Sequence, residues 1–217
     1  MENQTKKNKK SELLFALLDE ALFGGLSAAS LRKAAANIGL SKGETEIIAP
    51  NGVISMIDYW FSLADDAMVA ALSASNGLKI RQKATLAIRS RLEFLGQHKE
   101  ALRHSIVQLA LPHNARQGVQ IGYRFADTAW RAFGDTSTDF NYYSKRTILL
   151  GVDLATVTFF LGDDSRDNQD TWAFLDRRIE NIMQFEKAKA KLRKLKEKLP
   201  DPIPFISKLR FGARPLP

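Results

Sequence analysis

The residues that could do chemistry in this chain are few and poorly grouped for it. Three histidines, His98, His104 and His113, fall in one short window, and cysteine is absent. Thiolate nucleophiles, disulfides and thiolate metal sites are therefore excluded. Glu100 and His104 stand four apart on one helix face, a spacing that usually gives a solvated pair. A di-iron carboxylate bundle needs Glu-x-x-His on two helices plus two further Glu, and the sequence holds no such set. Asp163-Asp164 with Asp167 resembles a calcium loop in composition alone. The spacing and closing Glu are missing, so it reads as a solvated helix cap. Neither a glycine-rich phosphate loop nor a nucleophile elbow occurs. The expectation is a protein with no catalytic set, no metal and no cofactor.

Recognition chemistry is richer. From Trp130 the chain reads Trp-Arg-Ala-Phe-Gly-Asp-Thr-Ser-Thr-Asp-Phe-Asn-Tyr-Tyr-Ser-Lys-Arg, ending at Arg146. Aromatics beside paired charges at a helix start suit a partner surface, because tyrosine offers a rigid apolar body with a polar tip. Asp139, Tyr142, Tyr143, Lys145 and Arg146 are the candidates; Phe140 and one Tyr could equally staple the helix start. Next comes Ile148–Leu161, apolar on nearly every helical face except for Asp153. Such a helix is predicted to be buried all round, and it falls short of the roughly 20 residues that span a bilayer. It is either a central core helix or the wall of an apolar cavity. For a cavity its own wall residues are Leu149, Val152, Val157 and Phe160, faced by Ile106, Leu109, Phe125, Trp130 and Phe133. Ligand sites in helical bundles commonly sit between helices.

The elements that must position these residues are all helical. Leu13, Leu14, Leu17, Leu18, Ala21 and Leu22 predict a helix over 12–23, stopped by Gly24-Gly25. Ser27 can cap a second helix through Ile38. Ser41 and Glu44 have capping-box spacing for a short third one that Pro50 ends. Together these form a helix-turn-helix pattern. Further helices are predicted over 53–73, 79–95, 99–111, 115–133 and 140–161. A last one is capped by Asp167 or Asp170 and runs to about Leu199. Asp139 is the predicted cap at Phe140. No alternating strand pattern appears, so the fold class is all-α.

A net charge of +8 looks like a nucleic-acid signal until it is located. Met1–Lys10 holds four Lys and one Glu, and Lys187–Pro217 holds ten Lys/Arg against two Asp/Glu. The body between these tails is slightly acidic. Ser11–Ser75, which contains the helix-turn-helix, sets three basic side chains against eight acidic ones. A module that approaches DNA should not be the most acidic part of its chain, since phosphate neutralisation supplies most of the affinity. The third helix also offers Glu44 and Glu46 where base edges ask for Arg, Asn or Gln. In the tail, Leu192, Leu195 and Leu199 share one face among cations, and Phe205, Ile206 and Phe211 come after them. Lys191, Arg193, Lys194, Phe205, Ile206 and Phe211 are therefore candidates for docking on an anionic membrane surface, at about 1 kcal/mol per cation. Charge alone also suits RNA.

Two motifs carry a resemblance. Gly-Asp-x-Ser-x-Asp-Phe-Asn-x-Tyr-x-Lys-Arg stands at Gly134 through Arg146, and Thr-Trp-x-Phe-Leu at Thr171 through Leu175. The segment resembles the coenzyme-Q-biosynthesis lipid-binding protein family, whose members have a TetR-like fold; the match is firm from about Leu92 to Phe185. The resemblance implies a TetR-like helical bundle with a helix-turn-helix-like module at 11–52 and a larger lipid-binding and dimerisation domain at 53–186. A basic amphipathic tail completes the chain at 187–217. It also implies a homodimer that binds an isoprenoid quinone intermediate, or a phospholipid, in the apolar cavity. Such a protein would contact demethoxyubiquinone hydroxylase, a membrane-associated di-iron enzyme, through Asp139, Tyr142 and Tyr143. The family usually has Trp at the place of Tyr142, so this contact is expected to be retuned. The expected location is the bacterial cytoplasm, peripheral on the inner face of the membrane, or the mitochondrial matrix in a eukaryote. The other reading is a TetR-type ligand-responsive transcriptional regulator, against which the acidic helix-turn-helix argues.

Overall fold

The computed structural model describes residues 2–138 and 140–198. Among the described residues there is no strand, and nine α-helices succeed one another. They are α1 Glu2–Gly24, α2 Ala28–Asn37, α3 Lys42–Ile48, α4 Val53–Ser73, α5 Ile80–Leu95, α6 Lys99–Ala110, α7 Ala115–Ala132, α8 Phe140–Leu161 and α9 Gln169–Lys198. Short 3-10 turns at Gly96–His98 and Arg166–Asn168 precede α6 and α9. Asp139 and residues 199–217 lie outside the described residues, as do the side chains of Lys191, Arg193 and Lys194. The predicted Asp139 cap and the membrane candidates, including Phe205, Ile206 and Phe211, fall there.

Local chemistry sets the helix ends. The Ser27 hydroxyl accepts the Ser30 N–H at 3.1 Å to open α2. Gly39, at φ 72°, closes it: its N–H donates to the Ala36 carbonyl and that of Leu40 to the Ala35 carbonyl. This is a Schellman pair, for which glycine tolerates the left-handed backbone. Ser41 and Glu44 form the predicted capping box on α3, with N–H to oxygen distances of 3.3 and 3.0 Å. Helix α1 departs from expectation by starting at Glu2 rather than near residue 12. Lys9 donates to the Glu44 carboxylate at 2.8 Å, the Lys10 ammonium lies 4.6 Å over the Tyr59 ring, and Ser11 shares a hydrogen bond with Tyr59. Lysines that composition assigns to a basic tail thus tie α1 to α3 and α4.

Packing is set by the buried faces. On α4, Met56, Ile57, Trp60, Phe61, Ala64 and Met68 are buried at helical spacing, and α4 lies against α5 and α7. Helix α7 then meets α8, α8 meets α9, and α9 returns to α5. Helices α1, α2 and α3 make the small N-terminal unit, with α1 also resting on α6. Each fully buried Leu, Met or Phe gains about 1.5–3 kcal/mol against the entropy of ordering it. At Gly96 a Cβ would come within 2.6 Å of the Phe160 ring, so the end of α5 sits on α8 because this residue is glycine.

Helix α8 corrects one expectation. It is not buried all round: Thr147, Gly151, Leu154 and Thr158, on one face, are exposed, with Leu154 at 51%. The one charge of its Ile148–Leu161 stretch, Asp153, is buried instead. Among the described residues no helix is long and apolar enough to cross a membrane.

Candidate functional site

The Gly134–Arg146 motif folds into one hydrogen-bonded corner between α7 and α8. Gly134, at φ 87°, ends α7 in a second Schellman pair: its N–H donates to the Arg131 carbonyl and that of Asp135 to the Trp130 carbonyl. This turn delivers the Asp135 carboxylate to the start of α8. There it accepts Lys145 Nζ at 2.6 Å, the Ser137 hydroxyl at 2.8 Å and an Arg146 amine at 3.3 Å. Lys145 hydrogen-bonding and the cations nearby hold the Asp135 carboxyl at about 2. One helix earlier, Asp127 accepts Arg146 Nε at 2.7 Å, the Tyr142 hydroxyl at 2.9 Å and Arg131 Nε at 2.7 Å. Burial raises the Asp127 carboxyl, but these donors outweigh it and leave it lowered.

Arg146 contradicts its predicted role. Its side chain is 2% exposed, which puts it beyond the reach of a partner. It bridges Asp127 and Asp135 and stacks 3.4 Å from the centre of the Tyr142 ring. By residue type a Lys-Arg pair reads as surface; the two nearby carboxylates make it a clamp. Lys145 is partly exposed but committed to Asp135, and its carbonyl accepts Trp130 Nε1 at 3.0 Å. Tyr142 is half-buried, and its ring meets that of Tyr143 edge-on at 5.1 Å. Tyr143 is 62% exposed. It is the ring this corner presents outward.

The predicted cavity residues do not share one cavity. Trp130, Leu149 and Val152 line a cleft of about 230 Å³ walled by α5, α8 and α9, together with Ile80, Ile179 and Ile182. Ile106, Leu109 and Val157 line a second, of about 330 Å³, between α6, α7 and α8. Phe125, Phe133 and Phe160 line neither. Phe125 lies under the Arg91 guanidinium at 4.4 Å, Phe133 packs edge-on against Trp130, and Phe160 sits beside Gly96 and Trp172. The first falls below, and the second at the low end of, the roughly 300–1,000 Å³ of drug-sized ligand sites.

Sequence reasoning missed a buried ion cluster behind the second cleft. Arg91 donates to Asp65 at 3.0 Å and to both oxygens of Asp153 at 3.0 and 3.1 Å. Arg124 joins Asp65 to Asp58. Burial pushes the Asp153 carboxyl up, and Arg91 opposes this. The only sequence signal was Asp153 itself, a lone charge in an apolar run. Asp163, read as a solvated cap, is a buried one: it accepts the Ser165 N–H at 2.8 Å and the Thr171 N–H at 2.9 Å. Those donors overcome its burial and hold it well below the usual carboxylate range. Asp167, a predicted cap, instead stands at φ 54° inside the preceding 3-10 turn, and the Asp170 N–H donates to Ser165. Among the described residues no cluster of three His, Cys, Asp or Glu could hold a metal.

Acid should loosen the corner. A carboxyl lowered to about 2 contributes stability that is present above its unfolded value, near pH 4, and is lost as pH falls through about 2. Thermal melts between pH 4 and pH 2 should therefore drop more steeply for the parent than for Asp135→Asn. Parallel curves for the two would rule the corner out as the acid-labile element.

The fold and corner define a class, an all-α protein of TetR-like fold. A solved TetR transcriptional regulator from Nitrosomonas europaea aligns with 80% of this chain and 97% of its own, at a TM-score of 0.66 and 20% identity; that likeness concerns the fold. Residues 115–186, which run through the corner and both motifs, match the COQ9 family model. The mitochondrial ubiquinone biosynthesis protein COQ9 of rat is 26% identical over 188 residues, covering 83% of this chain and 60% of the rat protein. The human protein is 25% identical, covering 83% and 59%, and the probable counterpart in Dictyostelium discoideum 28%, covering 76% and 56%. The chain thus spans about 60% of the length of the curated relatives it matches. The resemblance read from Gly134–Arg146 and Thr171–Leu175 is to the COQ9 family.

Proposed function

We propose that this chain is a non-enzymatic, lipid-binding accessory protein of ubiquinone biosynthesis. It binds an isoprenoid quinone intermediate and presents it to a membrane-associated hydroxylase. One observation supports this reading above the others: a single stretch of helix serves both needs. Asn141, Ser144, Lys145 and Ile148 of α8 line the 230 Å³ cleft, while Tyr142 and Tyr143 of the same turns form the corner. A ligand held in the cleft would lie against the same turns of α8 that carry the exposed Tyr143 ring. The relatives named as mitochondrial ubiquinone biosynthesis proteins support the pathway. The uncovered α8 face of Thr147, Gly151 and Thr158 suits a second copy of the chain, hence a homodimer. Membrane docking through the basic tail, at the inner face of a bacterial membrane or in a mitochondrial matrix, completes the reading.

Mass spectrometry of organic extracts, from protein purified without detergent, tests the carrier. A stoichiometric isoprenoid quinone or precursor is expected; extracts with no lipid would return both clefts to ordinary core packing. For the partner, Tyr143→Ala is expected to abolish co-purification of the hydroxylase while stability and lipid content stay unchanged, because the ring is exposed. Undiminished co-purification would remove Tyr143 from the contact. A regulator would instead show salt-sensitive binding to a palindromic operator. Against that, Glu44 on α3 is already engaged by Lys9 and Ser41.

A further inference from the structure

The second cleft, between α6, α7 and α8, is apolar everywhere except at one place. Of the side chains that line it, Arg91 and Asp153 alone are polar. Ile106, Leu109 and Val157 form its walls, and at its mouth Val119 and Leu154 are more than half exposed. Gly122 keeps α7 bare where a Cβ would come within 2.7 Å of Leu150. An apolar cleft with one polar spot suits an amphiphile.

Charge decides which kind. The cluster that includes Arg91 and Asp153 holds two guanidinium groups, Arg91 and Arg124, against three carboxylates, Asp58, Asp65 and Asp153. No cation is left in excess. Burial pushes the Asp153 carboxyl up, Arg91 opposes this, and the neighbouring Asp65 adds to it. A carboxylate or phosphate head would add a further negative charge in a medium of low dielectric, where repulsion is strong and desolvation is costly. A hydroxyl or carbonyl oxygen adds none, and it can accept from a guanidinium or donate to a carboxylate. A bare hydrocarbon gains only apolar burial.

We propose that this cleft receives the polar end of an amphiphile, and that Arg91 and Asp153 select a neutral, oxygen-bearing head over an anionic one. The inference rests on the lipid-carrier reading and assigns the polar head to this cleft.

Three probes with one decyl tail test it: 4-decylphenol, 4-decylbenzoate and decylbenzene, titrated into the full chain at neutral pH. The phenol is expected to bind about ten-fold more tightly than either of the others, the discrimination one charge-assisted hydrogen bond supplies. Equal affinities of phenol and benzoate, or of phenol and decylbenzene, would overturn the proposal. Location is read separately. The chain has no cysteine, so Val119→Cys and Ile80→Cys, each carrying an environment-sensitive fluorophore, report one cleft apiece at exposed positions. The phenol should shift the Val119 label at lower concentration than the Ile80 label. The reverse order would leave the carrier reading standing and move the head to the other cleft. If none of the probes binds and no lipid co-purifies, the carrier reading and this inference fall together. A double variant, Arg91→Met with Asp153→Leu, removes the polar floor without stranding either charge; it should keep decylbenzene binding and lose the preference for phenol.

Discussion

Replacing Arg146 by alanine should lower the stability of this protein by about 3 kcal/mol, the low end of the loss caused by removing one partner of a buried ion pair. The low end applies because neither carboxylate is left wholly alone. Asp127 keeps Arg131 and Tyr142, and Asp135 keeps Lys145 and Ser137. The bridge between α7 and α8 disappears, and with it the guanidinium that underlies the Tyr142 ring. Arg146→Lys retains a charge but not the planar fork that reaches both carboxylates, so it should fall between parent and alanine. Urea unfolding of the three proteins measures this. A loss below about 1 kcal/mol would mean that the corner is held by its backbone turn, not by the clamp. If presentation of Tyr143 depends on the clamp, hydroxylase association should fall with Arg146→Ala even where the protein remains folded.

That clamp shows how far sequence alone could reach. Helix boundaries with a local cause were legible: Ser27, Ser41 with Glu44, and Gly39 act within a few residues of where they stand, whereas the start of α1 at Glu2 had no such signal. The prediction for α4, 53–73, meets the observed Val53–Ser73 because glycine precedes it and Asn76-Gly77 lies just beyond it. The corner was legible as a motif but not as a machine. Lys145 and Arg146 look like surface cations until Asp127 and Asp135, from the end of α7 and its turn, are brought against them. Such pairing is tertiary, and no spacing within α8 encodes it. The cavity fared likewise. Trp130 and Val157 are both apolar and both on adjoining helices, yet they face different clefts. Which side of a mostly apolar helix a residue occupies depends on its neighbours, and periodicity is silent when nearly every position is apolar.

Arg91→Ala should be the most damaging single change in the ion cluster, at about 3–5 kcal/mol, because Asp153 then has no cation within reach. Asp65 would keep Arg124. Both Arg91 and Asp153 are buried, so solvent offers the stranded carboxylate little relief. Removing the two charges together is a different experiment. In Arg91→Met with Asp153→Leu the pair is replaced by apolar side chains, an exchange that is often neutral or stabilising. The double variant is therefore expected to unfold at urea concentrations close to the parent's, while the single variant unfolds far earlier. If the double is as unstable as the single, the cluster holds the bundle together through Arg91's contacts with Asp65, Phe61 and Phe125, and stability explains its presence. If the double is as stable as the parent, stability does not explain why a helical core carries the buried Arg91–Asp153 pair. The polar floor of the α6–α7–α8 cleft is then what the cluster provides, and the loss of phenol preference in that same stable variant connects the two.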